Sequence, residues 1–185
     1  MKRSNLFSLL NAYTPVNSEE LEMYLEIKKF INDNPDCFER TLQIGHVTAS
    51  GWIVSPDREQ VLLMHHRKLD RWFQPGGHCD GDPDVLHVAS KEVEEETGVT
   101  NFKLAQEGIF DVDVHLIPAN SKDPAHYHYD IRFIFQADPK DEPIINIESK
   151  DVRWIPIGEV ERYNNSESLM RMVRKTALIE KTISH

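Results

Sequence analysis

Between residues 76 and 99 the chain runs two glycines, a short loop, Asp82-Pro83, a helical pattern and the acidic string KEVEEETGV. Glu92, Glu95 and Glu96 are spaced by three and four positions, which puts three carboxylates on one helix face. Like charges held together repel, and only Lys91 and His87 lie within a helical turn to offset them. A divalent cation does so better, because hard oxygen ligands converging from one face suit Mg²⁺ or Mn²⁺. Val85, Ala89 and Val93 form an i, i+4 stripe on another face, which docks the helix and turns the acids outward. A solvated acidic face is the commonest meaning of such a run. The glycines tip the balance toward a cation site: Gly76 and Gly77 before the helix and Gly98 after it let backbone carbonyls approach the same ion.

Around this helix the pattern alternates between strands and helices. Residues 17–31 carry Leu21, Tyr24, Leu25, Ile27, Phe30 and Ile31 as a helical stripe, with Asn17 or Ser18 available as N-cap and NPD at 34–36 as the stop. Residues 44–55 and 60–66 read as two strands joined by the turn SPDRE, a hairpin. Asp82 is placed to cap the acidic helix, Pro83 to occupy its first position and Gly98 to end it. Strand-like stretches follow at 109–117, 129–137 and 151–155, and residues 166–179 read as a closing helix. Residues 118–125 form a polar loop of the kind that often carries substrate contacts, and no internal repeat is visible. The expectation is an α/β chain with an N-terminal helical extension at 1–40 and one main domain at 41–185.

No run approaches the ~18 apolar residues of a membrane span, so no membrane partner is expected. The basic start MKRSNLFSLLNAYTP has only a weak apolar patch, interrupted by Asn11, and is not read as a signal peptide. Two cysteines, Cys37 and Cys79, are too few for a disulfide framework and match no zinc spacing, which points to a reducing cytoplasm. The net charge of -10 argues against nucleic acid as a partner, since that affinity comes from Lys and Arg on phosphates. Acidity also suits a chain that holds cations, although solubility is its commoner explanation.

Residues 77–99 resemble the box of the Nudix (MutT-like) hydrolases: Gly, five residues, Glu, seven residues, then Arg-Glu-apolar-any-Glu-Glu-any-Gly-apolar. Gly77, Glu92, Val93, Glu95, Glu96, Gly98 and Val99 stand at the family's spacing, WFQPGG looks like its lead-in and WIPIGEV like its closing strand and turn, so the resemblance covers residues 44–160. Two positions depart from it. Pro83 replaces the family's first Glu and Lys91 its Arg, the pair that braces the loop, which leaves Asp82 or Asp84 with Lys91 to rebuild the brace. The resemblance implies an α/β/α sandwich with a mixed β-sheet and hydrolysis of a diphosphate bond in a nucleoside diphosphate derivative or similar small molecule. It implies Gly77, Glu92, Glu95 and Glu96 as ligands of Mg²⁺ or Mn²⁺, and Glu92, Glu95 and Lys91 as the catalytic set. Such ions neutralise phosphate charge and acidify the attacking water. The carboxylate that takes the proton stays open, with Glu92 or Glu95 competing against Asp130 or Glu142 on later segments.

Nine histidines are many for this length. His46, His78, His126 and His128, with Arg67, are the substrate-binding candidates. In HYHYD, His126 and His128 alternate so as to share a sheet face with Asp130, a pattern open to metal, phosphate or structural readings. His65 and His66 end a strand, and Arg67 beside them offers a planar fork to phosphate or to a surface carboxylate. Trp72 and Phe73 read as packing residues, Tyr127 and Tyr129 as base-stacking or cross-strand pairs. Cys79 has no required role, because hydrolysis by activated water needs no thiol. His46 in HVTASGWIV and His78 in GGHCDGD also resemble isopentenyl diphosphate isomerase, a protein of the same fold in which comparable histidines bind a metal. The cysteine which that enzyme needs before the later histidine is replaced here by Gly76 and Gly77. A third reading is a nucleotide-binding module whose altered brace has abolished turnover. The apolar stripe of residues 17–31 fits either a cap on the sandwich or a homodimer interface.

Overall fold

The computed structural model describes residues 3–180 except Lys122 and Glu148. Helix α1 (Ser4–Ala12) buries Leu6 and Leu10, an i, i+4 pair too short a signal to have been read from the sequence. Helix α2 (Ser18–Asp33) follows its predicted stripe: Asn17 accepts a hydrogen bond from the Glu20 amide at 2.9 Å, and Ile27, Phe30 and Ile31 are buried. Leu21 and Leu25 of the same stripe stay exposed. The remaining elements are strands β1 (Gly45–Val54), β2 (Gln60–His66), β3 (Arg71–Phe73) and β4 (Gly76–His78), helix α3 (Val85–Thr97), strands β5 (Phe102–Leu104), β6 (Asp111–Ile117), β7 (His126–Ala137) and β8 (Ser149–Pro156), and, after a 3₁₀ turn at Ile157–Glu159, helices α4 (Val160–Tyr163) and α5 (Glu167–Thr176). The strands form a mixed sheet flanked by helices, the fold class expected from the sequence. Among the described residues no helix is long and apolar enough to cross a membrane.

The chain divides into two compact units, and β1, α3 and β7 each contribute residues to both. The first comprises Met1–Ser50, Gly77–Ala89 and Gly108–Phe133. There β6 runs antiparallel to β7 with Asp111 opposite Arg132, Asp113 opposite Asp130 and His115 opposite His128. Beside β7, β1 climbs in the same direction: the Tyr127 amide donates to the Ile44 carbonyl at 3.1 Å, and Thr48 and Ser50 donate to the Asp130 carboxylate at 3.0 and 2.8 Å. With side chains alternating, one face carries His46, Thr48 and Ser50 from β1, His126, His128, Asp130 and Arg132 from β7, and Asp111, Asp113 and His115 from β6. On the other face Tyr129, Ile131 and Phe133 are buried, and Phe30 of α2 stacks on Tyr129 at 3.8 Å. That stack makes Tyr129 a packing residue.

The polar face is held by Arg132, whose guanidinium meets Asp130 at 2.8 Å, Asp111 at 3.1 Å and Asp113 at 3.2 Å, all four side chains being buried. Burial alone would push the Arg132 guanidinium down. The three carboxylates, Asp113 foremost, outweigh that and hold it charged.

The second unit comprises Gly51–Gly76, Ser90–Glu107 and Ile134–His185. Its centre is β2, paired antiparallel with β1, β3 and β8, while β5 pairs with the end of β7. Trp52 is fully buried and donates its indole N–H to Thr176 of α5 at 2.9 Å, and Leu169 and Met172 of that helix are buried with it. Gly51 has no room for a side chain: a Cβ would stand 2.5 Å from a Val93 methyl and 3.0 Å from the Phe135 ring.

Helix α3 departs from its expected start. Asp84, not Asp82, caps it, accepting from the His87 amide at 3.1 Å, while Asp82 accepts the Asp84 amide at 2.9 Å in a turn of its own. Pro83 therefore lies ahead of the helix rather than at its first position, because the local Asx turn at Asp82 satisfies the amides that a longer helix would have used. Gly98 closes α3 as expected, at φ +71°.

Two substitutions test these contacts by urea denaturation. Arg132→Met, which strands three buried carboxylates, is expected to cost about 3–5 kcal/mol, and Gly51→Ala about 1–3 kcal/mol through overpacking. Unchanged midpoints would contradict the packing described.

Candidate functional site

Two clusters of chemistry-bearing side chains stand out, one in each unit. In the second unit, the carboxylates of α3 are not all turned to solvent as their spacing suggested. Glu95 is exposed and Glu92 half-buried, but Glu96 is only 7% exposed and accepts the Gly76 amide at 2.8 Å. The helix lies close enough to the Pro-Gly-Gly turn for one of its acids to fasten that turn. Lys91 reaches Glu95 at 3.6 Å along the helix, whereas Asp82, the expected partner for a rebuilt brace, meets His87 at 2.9 Å. At the C-terminal end of α3, Ile144 donates its amide to the Thr97 carbonyl at 2.7 Å and Asn146 its side-chain amide to the Glu95 carbonyl at 2.8 Å, so the segment carrying Glu142 is tied to the end of the acidic helix. Arg67 donates to the Ile147 and Ser149 carbonyls at 3.0 and 2.8 Å, anchoring the same segment. His65 pairs with Asp70 at 2.8 Å and stacks on Trp72, whose ring also meets Tyr163, and His66 accepts the Leu69 amide at 3.2 Å. Trp72 is a packing residue, as read.

In the first unit, the alternation along β1 and β7 brings four of the candidate histidines together. The His46 ring centroid lies 4.9 Å from that of His78, 5.0 Å from His126 and 4.9 Å from His128. His78 and His128 are 5.0 Å apart, and His115, which sequence reasoning did not single out, stands 5.4 Å from His128. His115 became visible only through the β6–β7 register, which sets it opposite His128. The cluster opens on a pocket of about 500 Å³ lined also by Arg40, Asn120 and Asp123, so the polar loop at 118–125 does border a cavity. Arg40 is itself paired in a fork with Asp80.

The electrostatics of this cluster favour neutral rings. Burial, reinforced by His78 and His126, pushes His46 down to about 4, and burial with His78 and His115 pushes His128 down to about 2. His78 is lowered too, by burial and then by Arg40. The Leu42 backbone favours the charged form of His46 slightly, yet neither His46 nitrogen has a hydrogen bond of ordinary geometry, and Nε2 of His128 is likewise buried without a partner. Asp130 shares the sheet face but not the cluster's chemistry: it is buried and accepts from Thr48, Ser50 and Arg132. Both cysteines are free and buried, and burial pushes Cys37 up to about 11 and Cys79 higher still, so neither is a ready thiolate.

A family model described as the NUDIX domain matches residues 45–175. The chain belongs to the Nudix family, a family of pyrophosphohydrolases, as the spacing of its box implied. Among solved structures it is similar to a Caenorhabditis elegans Ap4A hydrolase, at 17% identity over 71% of this chain and 95% of that one, with a TM-score of 0.58. It is similar also to the Escherichia coli dihydroneopterin triphosphate pyrophosphohydrolase (15% identity, 70% and 92% coverage, TM-score 0.55). A third is the NUDIX domain of Shewanella oneidensis NrtR complexed with ADP ribose (15% identity, 83% and 97% coverage, TM-score 0.54). At these identities the likeness speaks for the fold. No curated relative is matched by sequence.

The buried neutral histidines make stability depend on acid. In chelator-treated protein, His46 and His128 take up protons on unfolding near their ordinary value of about 6.5 but resist them when folded. Stability is therefore expected to fall as pH drops from about 6.5, continuing toward about 4 for His46. Urea midpoints measured across that range check it, and a flat profile would show rings that charge freely in the native state.

Proposed function

We propose that the chain is a metal-dependent hydrolase that cleaves a diphosphate bond in a nucleoside diphosphate derivative or similar small molecule, using Mg²⁺ or Mn²⁺ held by the box residues Gly77, Glu92, Glu95 and Glu96. The observation that carries this reading is the acidic face of α3. Its carboxylates concentrate negative charge on one stretch of helix, where Lys91 reaches Glu95 at 3.6 Å and Glu96 accepts the Gly76 amide at 2.8 Å. These are hard, anionic oxygen donors, the chemistry such ions take.

When bound, the ion supplies charge neutralisation at the phosphate oxygens and acidifies the attacking water. The chain's own residues do the rest. Glu92 or Glu95 takes the proton from that water. Lys91, 3.6 Å from Glu95, orients its carboxylate. Glu96 keeps the Pro-Gly-Gly turn seated against the helix. Asp130 is assigned to the fold, because its oxygens are committed to Thr48, Ser50 and Arg132. Arg67, with two donors on backbone carbonyls, retains others for a substrate phosphate. His46, His78, His126 and His128, which line a pocket of their own unit, are the further substrate-binding candidates. We place the catalytic domain at residues 41–185, with 1–40 as a helical extension. The two free cysteines fit a cytoplasmic setting.

The isomerase reading is weaker, since both thiols are buried and held in their protonated form. A binding module without turnover remains the instructive competitor. Phosphate release over a panel containing a dinucleoside polyphosphate, ADP-ribose and a nucleoside triphosphate, with Mg²⁺, tests the proposal. Glu95→Gln is expected to lower kcat by about a hundredfold or more with the fold intact. Tight binding of the panel without turnover would establish the binding module instead, and conversion of isopentenyl diphosphate to its isomer would establish the isomerase.

A further inference from the structure

The histidine cluster of the first unit has features that packing alone does not account for. His46 is 3% exposed, and both of its ring nitrogens are buried without a hydrogen-bond partner, as is Nε2 of His128. A buried polar atom left unpaired is costly, and a sheet face gains nothing by gathering several of them. Strand pairing nevertheless delivers them to one spot: His46 from β1, His128 from β7 and His78 from the end of β4. One nitrogen from each of the three lies within 4.8 Å of the others. Three imidazoles around a tetrahedral ion with metal–nitrogen bonds of about 2.0–2.1 Å place their nitrogens about 3.3 Å apart. Small ring rotations close that difference, and His78 and His128 are only half-buried, so their rings have room to turn.

We propose that His46, His78 and His128 form a three-nitrogen site for a divalent transition ion of the Zn²⁺ class, distinct in donor chemistry from the carboxylates of α3, with its fourth position open to the adjoining pocket. Neutral imidazoles are borderline-soft donors that suit Zn²⁺, Co²⁺ or Cu²⁺ and compete poorly for Mg²⁺. Such an ion takes one nitrogen from each ring, and so gives a partner to a buried nitrogen of His46 that has none. The open position follows from the surroundings: the same three rings line the pocket of about 500 Å³ that Arg40, Asn120 and Asp123 border. Three histidines with one exchangeable ligand is the arrangement of an ion that binds and polarises an oxygen ligand, whereas a purely structural site is closed by four protein donors. Asp113 contacts His115 at 3.0 Å, and His115 packs against His128, so the buried aspartate network backs the ring that comes from β7. The inference does not rest on the hydrolytic reading and survives its failure.

The test uses the full chain without a histidine tag, stripped with chelator and then dialysed against Zn²⁺ with Mg²⁺ in excess to occupy hard-donor sites. Elemental analysis is expected to find one Zn²⁺ per chain. Replacement by Co²⁺ is expected to give the intense visible bands of four-coordinate cobalt, shifting when a small anion such as azide is added to the open position. His78→Gln and His128→Gln should each remove those bands and weaken Zn²⁺ binding by at least about a hundredfold, beyond what loss of an outer-shell partner costs. Glu95→Gln should leave them in place. If His128→Gln fails to fold, the half-buried His78 carries the test, with circular dichroism as the control. Absence of stoichiometric Zn²⁺, the weak bands of six-coordinate cobalt, or Zn²⁺ binding undiminished in a folded His78→Gln chain would each overturn the proposal.

Discussion

The buried contact of Arg132 with Asp111, Asp113 and Asp130 sets what the first unit can be. A cation and three anions out of water tolerate little displacement, because a buried charge that loses its partner is expensive. Since the partners come from β6 and β7, and Thr48 and Ser50 of β1 bond the same Asp130, the cluster locks three strands in register. A slip by one residue would move every side chain to the opposite face. The histidines of these strands ride on the same alternation: His115 lies two positions from Asp113, His128 and His126 two and four from Asp130, and His46 two and four from Thr48 and Ser50. The meeting of His46 with His126 and His128 thus depends on the register that the ionic cluster holds.

The acidic helix solves a different positioning problem. Its apolar residues Val85, Ala89 and Val93 are fully buried, its start is set by Asp84 and its end by Gly98. Within that frame one carboxylate, Glu96, is spent on the backbone of the preceding turn, while Glu92 and Glu95 stay more accessible. The two clusters differ in kind: anionic oxygens on a helix, neutral nitrogens on a sheet. Hard ions such as Mg²⁺ are suited to the first set of donors and poorly to the second.

Much of this was legible in the residues. The helix at α2, the hairpin of β1 and β2 and the docking stripe of α3 follow from periodicity and end signals, which are local. The spacing of Gly77, Glu92, Val93, Glu95, Glu96, Gly98 and Val99 together was enough to indicate the family. Where reading failed, the deciding interaction was nonlocal or two local devices competed. Asp82 and Asp84 are both good caps, and only the folded turn shows that Asp84 takes the helix. Helix α1 is held by burial of Leu6 and Leu10 rather than by a strong pattern. Glu96 reads as one more solvent-facing acid until the Gly76 amide is found beneath it. The pairing of His126 with His128 was visible as alternation, but their meeting with His46 and His78 depends on a parallel neighbour strand that no local signal announces.

We propose that the carboxylates of α3 serve bond cleavage and not binding alone. Phosphorus NMR of a nucleoside diphosphate derivative turned over with Mg²⁺ in ¹⁸O-labelled water addresses it most directly. Hydrolysis is expected to give separated phosphate products, with label from water on one of the two phosphorus atoms of the broken anhydride and none in the residual substrate. An unchanged, unlabelled spectrum from a chain shown to be saturated with the same compound would contradict it.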